Sequence, residues 1–243
     1  MSRAAALDER LRSTAVVLAE LLASADPSRL TGMRRVGIRI ERALGVPLPA
    51  LRSLAKRIGT DHRIASELWA TGIHEARILA SMIEDAGAIS GDDMDRWARD
   101  VDSWDVCDQV CGNLFDRTPF AYEKAFEWSE HDSEFVKRAA FSLMASLAVP
   151  GRAGREADLA SFLPVIERAA TDDRNAVKKG VNWALRQIGK RSPSLNRRAI
   201  ATGRRLRASE SASARWVGRD AVRELMGEPV QRRLAASPRS RRG

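Results

Sequence analysis

Apolar residues recur along this chain three and four positions apart, the spacing that lines one face of an α-helix. Leu7, Leu11, Ala15, Leu18 and Leu22 follow it, as do Leu51, Leu54 and Ile58 and, later, Val177, Val181, Ala184, Leu185 and Ile188. No segment alternates convincingly in the manner of a half-buried strand. The pattern predicts helices over residues 4–24, 34–43, 48–58, 61–70, 74–85, 91–99, 104–115, 119–129, 134–147, 155–169, 174–190, 194–207 and 212–226. Turn signals such as GVPLP, DRTPF and VPGRAG separate them.

Many short helices joined by short connections predict an all-α fold in which helix pairs stack side by side as an α-solenoid, with a helical bundle as the alternative. The segments ARILASMIED, KRAAFSLMAS and KKGVNWALRQ share a cadence of basic residues followed by small and apolar ones at helical spacing, which suggests repeated second helices. The expectation is a single repeat domain over residues 1–226. Residues 227–243 lose the pattern and gain Arg, Ser and Pro, so a disordered basic tail is expected there.

Composition changes the picture in one respect, the distribution of charge. The chain has 243 residues, 44% of them hydrophobic, and a net charge of +9. Residues 171–243 carry 19 Lys and Arg against 6 Asp and Glu, whereas the remainder is slightly acidic. A cationic C-terminal third points to a polyanion, nucleic acid ahead of an anionic membrane surface, the alternative being a solvated high-pI surface. There is no apolar run of signal length and none approaching the about 20 residues that a membrane span requires. With only Cys107 and Cys111 as cysteines, a soluble cytoplasmic protein in a reducing compartment is expected.

The segment SWDVCDQVC, residues 103–111, holds the first candidate chemistry. Asp102 or Ser103 suits the N-cap of a helix, and Asp105 lies in its first turn, where the helix dipole favours negative charge. Asp108 lies a turn further in, stacked on Trp104 at the edge of the apolar stripe formed by Val106, Cys107, Val110 and Leu114. An indole and a carboxylate facing one small volume suit a cation; pairing of Asp108 with a basic residue of a neighbouring helix is the structural alternative. Trp183 points about 145° away from its helix's apolar stripe on a helical wheel. It keeps company there with Lys179, Arg186 and Lys190, a combination suited to nucleic acid unless that face packs on an adjacent repeat. Arg138, beside Lys137, lies opposite the stripe of Val136, Ala140, Leu143 and Leu147, either as an ordinary exposed arginine or as a cation that balances Asp108 while holding a phosphate.

SWDVCD with Trp104 and Asp108, KRAAF with Arg138, and KKGVNWALRQIGK with Trp183 resemble the AlkD-like DNA alkylation repair family, the HEAT-like repeat DNA glycosylases. ALGVPLPALRSLAKRIG and ELWATGIHEARILASMIED extend the resemblance, which covers about residues 30–225. It implies a C-shaped stack of HEAT-like repeats with a concave basic cleft for double-stranded DNA, and excision of N3- or N7-alkylated purines without rotation of the lesion out of the helix. By position, Asp108 would be the catalytic carboxylate, Trp104 and Trp183 the indoles against the lesion's sugar and backbone, and Arg138 the phosphate-holding cation. Lys137, Lys179, Arg186 and Lys190 are the expected DNA contacts, and the protein is expected to act as a monomer.

The chemistry is consistent with that implication. An alkylated purine is already cationic and leaves readily, so the sugar's oxocarbenium character is what needs stabilising, and a carboxylate does this while orienting water. Each indole adds about 0.5 to 2 kcal/mol of cation–π attraction. No metal or redox cofactor is required. Cys107 and Cys111 read as buried small residues, and His62, His74 and His131 lack zinc-like spacing. A non-catalytic helical-repeat module that binds DNA or protein is the second functional expectation.

Overall fold

A computed structural model of the chain describes residues 9–151 and 155–236. Among these residues all regular structure is helical. Fourteen α-helices are α1 (Thr14–Ala23), α2 (Leu30–Arg35), α3 (Leu48–Ile58), α4 (His62–Ala70), α5 (His74–Ile83), α6 (Gly91–Asp100), α7 (Trp104–Asn113), α8 (Ala121–Ser129), α9 (Glu134–Leu147), α10 (Glu156–Ala169), α11 (Asn175–Gly189), α12 (Pro193–Arg207), α13 (Ala212–Leu225) and α14 (Glu228–Ala236). No helix among the described residues is long and apolar enough to cross a membrane.

Local chemistry sets most boundaries. Asp61 caps α4 by accepting from the Ile64 N–H at 2.9 Å, and Ser90 with Asp93 forms a capping box on α6. Ser192 and Ser211 accept from the third backbone N–H of α12 and α13. The helix expected over 34–43 does not form. Gly37, at φ 84°, donates to the Arg34 carbonyl while Ile38 donates to that of Met33, a glycine-dependent arrangement that closes α2 at Arg35. A connection over residues 36–47 follows, which helical periodicity alone could not distinguish from a helix.

The tail is a second departure. Residues 228–236 form α14 and bury Val230 and Leu234, because these two lie four apart on one face despite the surrounding arginines. Residues 237–243 of the expected tail and residues 4–8 of the expected first helix lie outside the described residues.

The chain divides after Thr118 into two compact units. In the first, α5 packs against α3 on one side and α7 on the other, with α4 behind it. The indoles of Trp69 on α4 and Trp97 on α6 stack at 4.0 Å, and Trp69 donates to Asp100 at 2.9 Å. In the second unit α9, α11 and α13 form one layer and α8, α10 and α12 the other. Polar bonds join successive helices of each layer 38 residues apart: Asn182 to Asp220 in the first layer, Glu130 to Arg168 and Glu167 to Arg205 in the second. This is a repeat in structure whose period is blurred in sequence by variable connections.

Close approach within a repeat depends on missing side chains. A Cβ on Gly218 of α13 would stand 2.5 Å from the Gly203 carbonyl oxygen of α12 and 2.8 Å from the Arg207 nitrogen. Both neighbours are backbone and cannot rotate away. Gly218→Ala is therefore expected to destabilise the fold by about 1–3 kcal/mol, read as a lower denaturant midpoint with an unchanged slope.

Candidate nucleic-acid site

Helix α7 carries the first group of predicted residues. Val106, Cys107, Val110 and Cys111 are buried and anchor its apolar face. Asp108 is half-buried at the edge of that face, and Trp104, at the first helical position, is 36% exposed. Burial holds the Cys111 thiol well above its ordinary pKa, reinforced by Cys107 and by the charges of Asp108 and Asp116. Cys111 therefore remains a neutral packing residue. The Trp104 indole N–H donates to the Val36 carbonyl at 3.0 Å, which ties it to the 36–47 connection.

That connection is held from several directions. The carboxylate of Glu75, 1% exposed, accepts from the Leu44 N–H at 2.8 Å and the Gly45 N–H at 2.7 Å. The His74 N–H donates to the Arg42 carbonyl at 3.0 Å. The His74 ring reaches in the other direction, its Nε2 lying 2.9 Å from Asp105, which also accepts from the Ser103 hydroxyl at 2.8 Å. Asp105 is thus more than the dipole partner that sequence suggested. Burial pushes the His74 pKa down, but the hydrogen bond and charge of Asp105, with the charges of Glu75 and Asp102, outweigh it and raise the pKa above 6.5. Burial likewise pushes Asp105 up, and the His74 hydrogen bond and charge, with the Ser103 hydroxyl and Val106 N–H, hold it below the ordinary carboxylate range.

The second unit carries Arg138 and Trp183. Arg138 is 5% exposed, which corrects the reading of an ordinary exposed arginine. Its helix, α9, is buried around most of its circumference, so the face opposite the apolar stripe is also enclosed. The guanidinium donates to the Ala176 carbonyl at 2.7 Å. Gly180 packs on its stem, at a spacing where a Cβ would lie in ordinary contact, 3.5 Å from the Arg138 Cγ. Trp183 is half-buried one turn further along α11.

The four predicted DNA contacts differ in environment. Lys179 is exposed and makes no ion pair among the described residues. Lys137 pairs with Asp172 at 3.3 Å. Arg186 and Lys190 both pair with Glu224 of α13, so part of their charge is already balanced within the fold. Burial pushes the Glu224 pKa up, and the bonds to these two cations more than reverse it. Sequence reasoning overlooked Trp216, which is 37% exposed on α13 with the Lys178 ammonium 5.5 Å from its ring centroid. Trp104 and Asp108 belong to the first unit, and Arg138 and Trp183 to the second. Among the described residues no group of three or more His, Cys, Asp or Glu side chains is placed to hold a metal ion.

The sequence model of the family described as "DNA alkylation repair enzyme" matches residues 17–225, which include every site residue above. The chain belongs to the DNA alkylation repair enzyme family. Its fold is that of a solved structure described as "A new family of proteins related to the HEAT-like repeat DNA glycosylases with affinity for branched DNA structures". The TM-score is 0.72 at 23% identity, over 79% of this chain and 82% of the other. No curated protein matches the sequence. Within this DNA alkylation repair family member, the all-α class expected from the helical pattern and the HEAT-like fold that the resemblance implied are both present.

The His74–Asp105 pair has a defined pH signature. A raised histidine pKa contributes stability below the unfolded value that is lost as pH rises through the folded value. The lowered Asp105 pKa contributes stability above its own unfolded value that is lost as pH falls through the folded one. Asp105→Asn should therefore destabilise most between the ordinary aspartate and histidine ranges. NMR titration should show the His74 pKa above 6.5 in the wild type and lower in Asp105→Asn, where burial acts with less opposition.

Proposed function

We propose that this DNA alkylation repair family member is a monofunctional glycosylase that hydrolyses the bond between deoxyribose and an N3- or N7-alkylated purine in duplex DNA. The observation that carries this reading is the pairing on α7 of an exposed indole, Trp104, with a half-buried carboxylate, Asp108, one turn along. A cationic nucleotide matches both groups.

In the proposed reaction the glycosidic bond breaks with both electrons going to the alkylated purine, whose positive charge is thereby neutralised. The sugar acquires oxocarbenium character, and water adds at C1′ and loses a proton. Asp108 acts on the sugar through space and orients the water, favouring the transition state because charge develops there after binding. Trp104 and Trp183 supply flat faces to the sugar and backbone. Arg138 serves as the phosphate-holding cation, its orientation set by the Ala176 carbonyl. Lys179 and the aromatic–cation pair of Trp216 and Lys178 add backbone contacts. Arg186, Lys190 and Lys137 contribute less than full charges, since each already faces a carboxylate.

The structural neighbour is described as having affinity for branched DNA structures, and DNA binding of that kind suits a second reading, a non-catalytic helical-repeat module that binds DNA. Release of free base from duplex DNA containing N7-methylguanine separates the two. The first reading expects excision by the wild type and a loss of about a hundredfold or more in Asp108→Asn at unchanged duplex affinity. Binding of branched DNA with no release of base by the wild type would establish the second.

A further inference from the structure

The first unit contains a cavity of about 250 Å³ between the 36–47 connection and the N-terminal end of α5. Arg39, Arg42, Arg77 and His74 line it, with Glu41 and Asp102 at the same surface. With His74 protonated, four cationic groups face two carboxylates. None of the three arginines has a carboxylate partner among the described residues. Arg186 and Lys190 of the second unit, by contrast, are paired with Glu224.

The cationic lining is held in place by the fold. Arg42 is fixed through its carbonyl, which accepts from the His74 N–H, and Glu75 secures the next two residues of the connection. Gly72 lies under the Arg42 guanidinium, where a Cβ would come 2.5 Å from Nη1. Arg77 is braced across the Trp69 ring at 5.4 Å and donates Nη1 to the Asp100 carbonyl at 2.6 Å. His74 is 6% exposed, and its Nε2 is committed to Asp105. Its Nδ1 has no hydrogen-bond partner among the described residues, although the residue lines the cavity. An imidazolium held in this way carries a charge-assisted N–H donor with no internal acceptor.

We propose that this cavity is a phosphate-binding site, formed by Arg39, Arg42, Arg77 and His74, that takes one phosphate group of a DNA strand or a free phosphate ion. A phosphate offers several acceptor oxygens to converging guanidinium forks and an imidazolium, and its charge balances the excess of the lining. Asp105, which orients His74, directly follows Trp104. A strand phosphate bound here would therefore register the DNA beside the indole that faces the proposed lesion site. The strand as source rests on the proposed DNA-directed function; the phosphate chemistry does not.

The test follows the His74 Hε1 resonance by NMR in the full chain during titration with inorganic phosphate and, separately, with a short DNA duplex. Inorganic phosphate is expected to shift His74 while leaving His62 and His131 in place. Arg39→Ala/Arg42→Ala alters two exposed side chains and should abolish the response with the helical content unchanged. The duplex is expected to shift the same resonance, and in the double variant the slope of log affinity against log salt should fall by about 0.9, one phosphate contact. A His74 response to phosphate but not to a bound duplex would assign the site to the free ion. A response to phosphate with no duplex binding would also support the site while removing the DNA-directed reading. Duplex binding with no His74 response to either probe and an unchanged salt slope would overturn the phosphate site and leave the DNA-directed reading standing.

Discussion

A helix that is apolar around most of its circumference has to be enclosed on several sides, and this requirement governs the architecture. Helix α9 shows it most clearly. Between Val136 and Leu147 its residues other than Lys137 are buried, including Arg138, Ser142 and Ser146, against α8 on one side and α11 on another. Such a helix cannot end a stack, and each neighbour brings an apolar face that needs covering in turn. A glycine sets how closely two such faces meet: Gly218 of α13 lies against the backbone of α12. Side chains reach solvent only where a helix turns away from its neighbours, and Trp104, Lys179 and Trp216 occupy such positions.

Polar bonds between successive helices do more than stabilise the stack. In the first unit Trp69 bonds to Asp100 and His74 to Asp105, both across 31 residues, so neighbouring helices are held in one register. The His74–Asp105 bond also orients Asp105, which follows Trp104, and raises the His74 pKa against the opposing effect of burial. Buried Glu75 extends this order outward by holding a connection that has no helix of its own. An unpartnered carboxylate at that depth would be costly, so the backbone N–H groups of Leu44 and Gly45 are as necessary to Glu75 as it is to them.

The charge distribution shows why net charge is an incomplete guide to a binding surface. The C-terminal third is strongly basic, yet Arg186 and Lys190 spend part of their charge on Glu224. The first unit is less basic in composition but contains arginines without carboxylate partners around a cavity. Local pairing therefore bears more directly on anion binding than does the regional sum.

Helical periodicity determined the all-α class, most helix boundaries and the place of Trp104 and Asp108 on one helix one turn apart, because these depend on interactions within a few residues. It did not reveal the early end of α2, where a single residue at positive φ outweighs the apolar spacing, nor α14, whose burial depends on a neighbouring helix. Arg138 could not be placed from its own helix either: the wheel located its direction, but whether that direction held solvent or protein was set by α11. His74 and Asp105 lie 31 residues apart, and nothing local marks them as partners. The sequence by itself thus determined the helices, their apolar faces and the family, since neighbouring residues and recurring motifs carry that information. Only the tertiary structure decided which charges are buried, paired or exposed, because those properties arise from groups brought together across the chain.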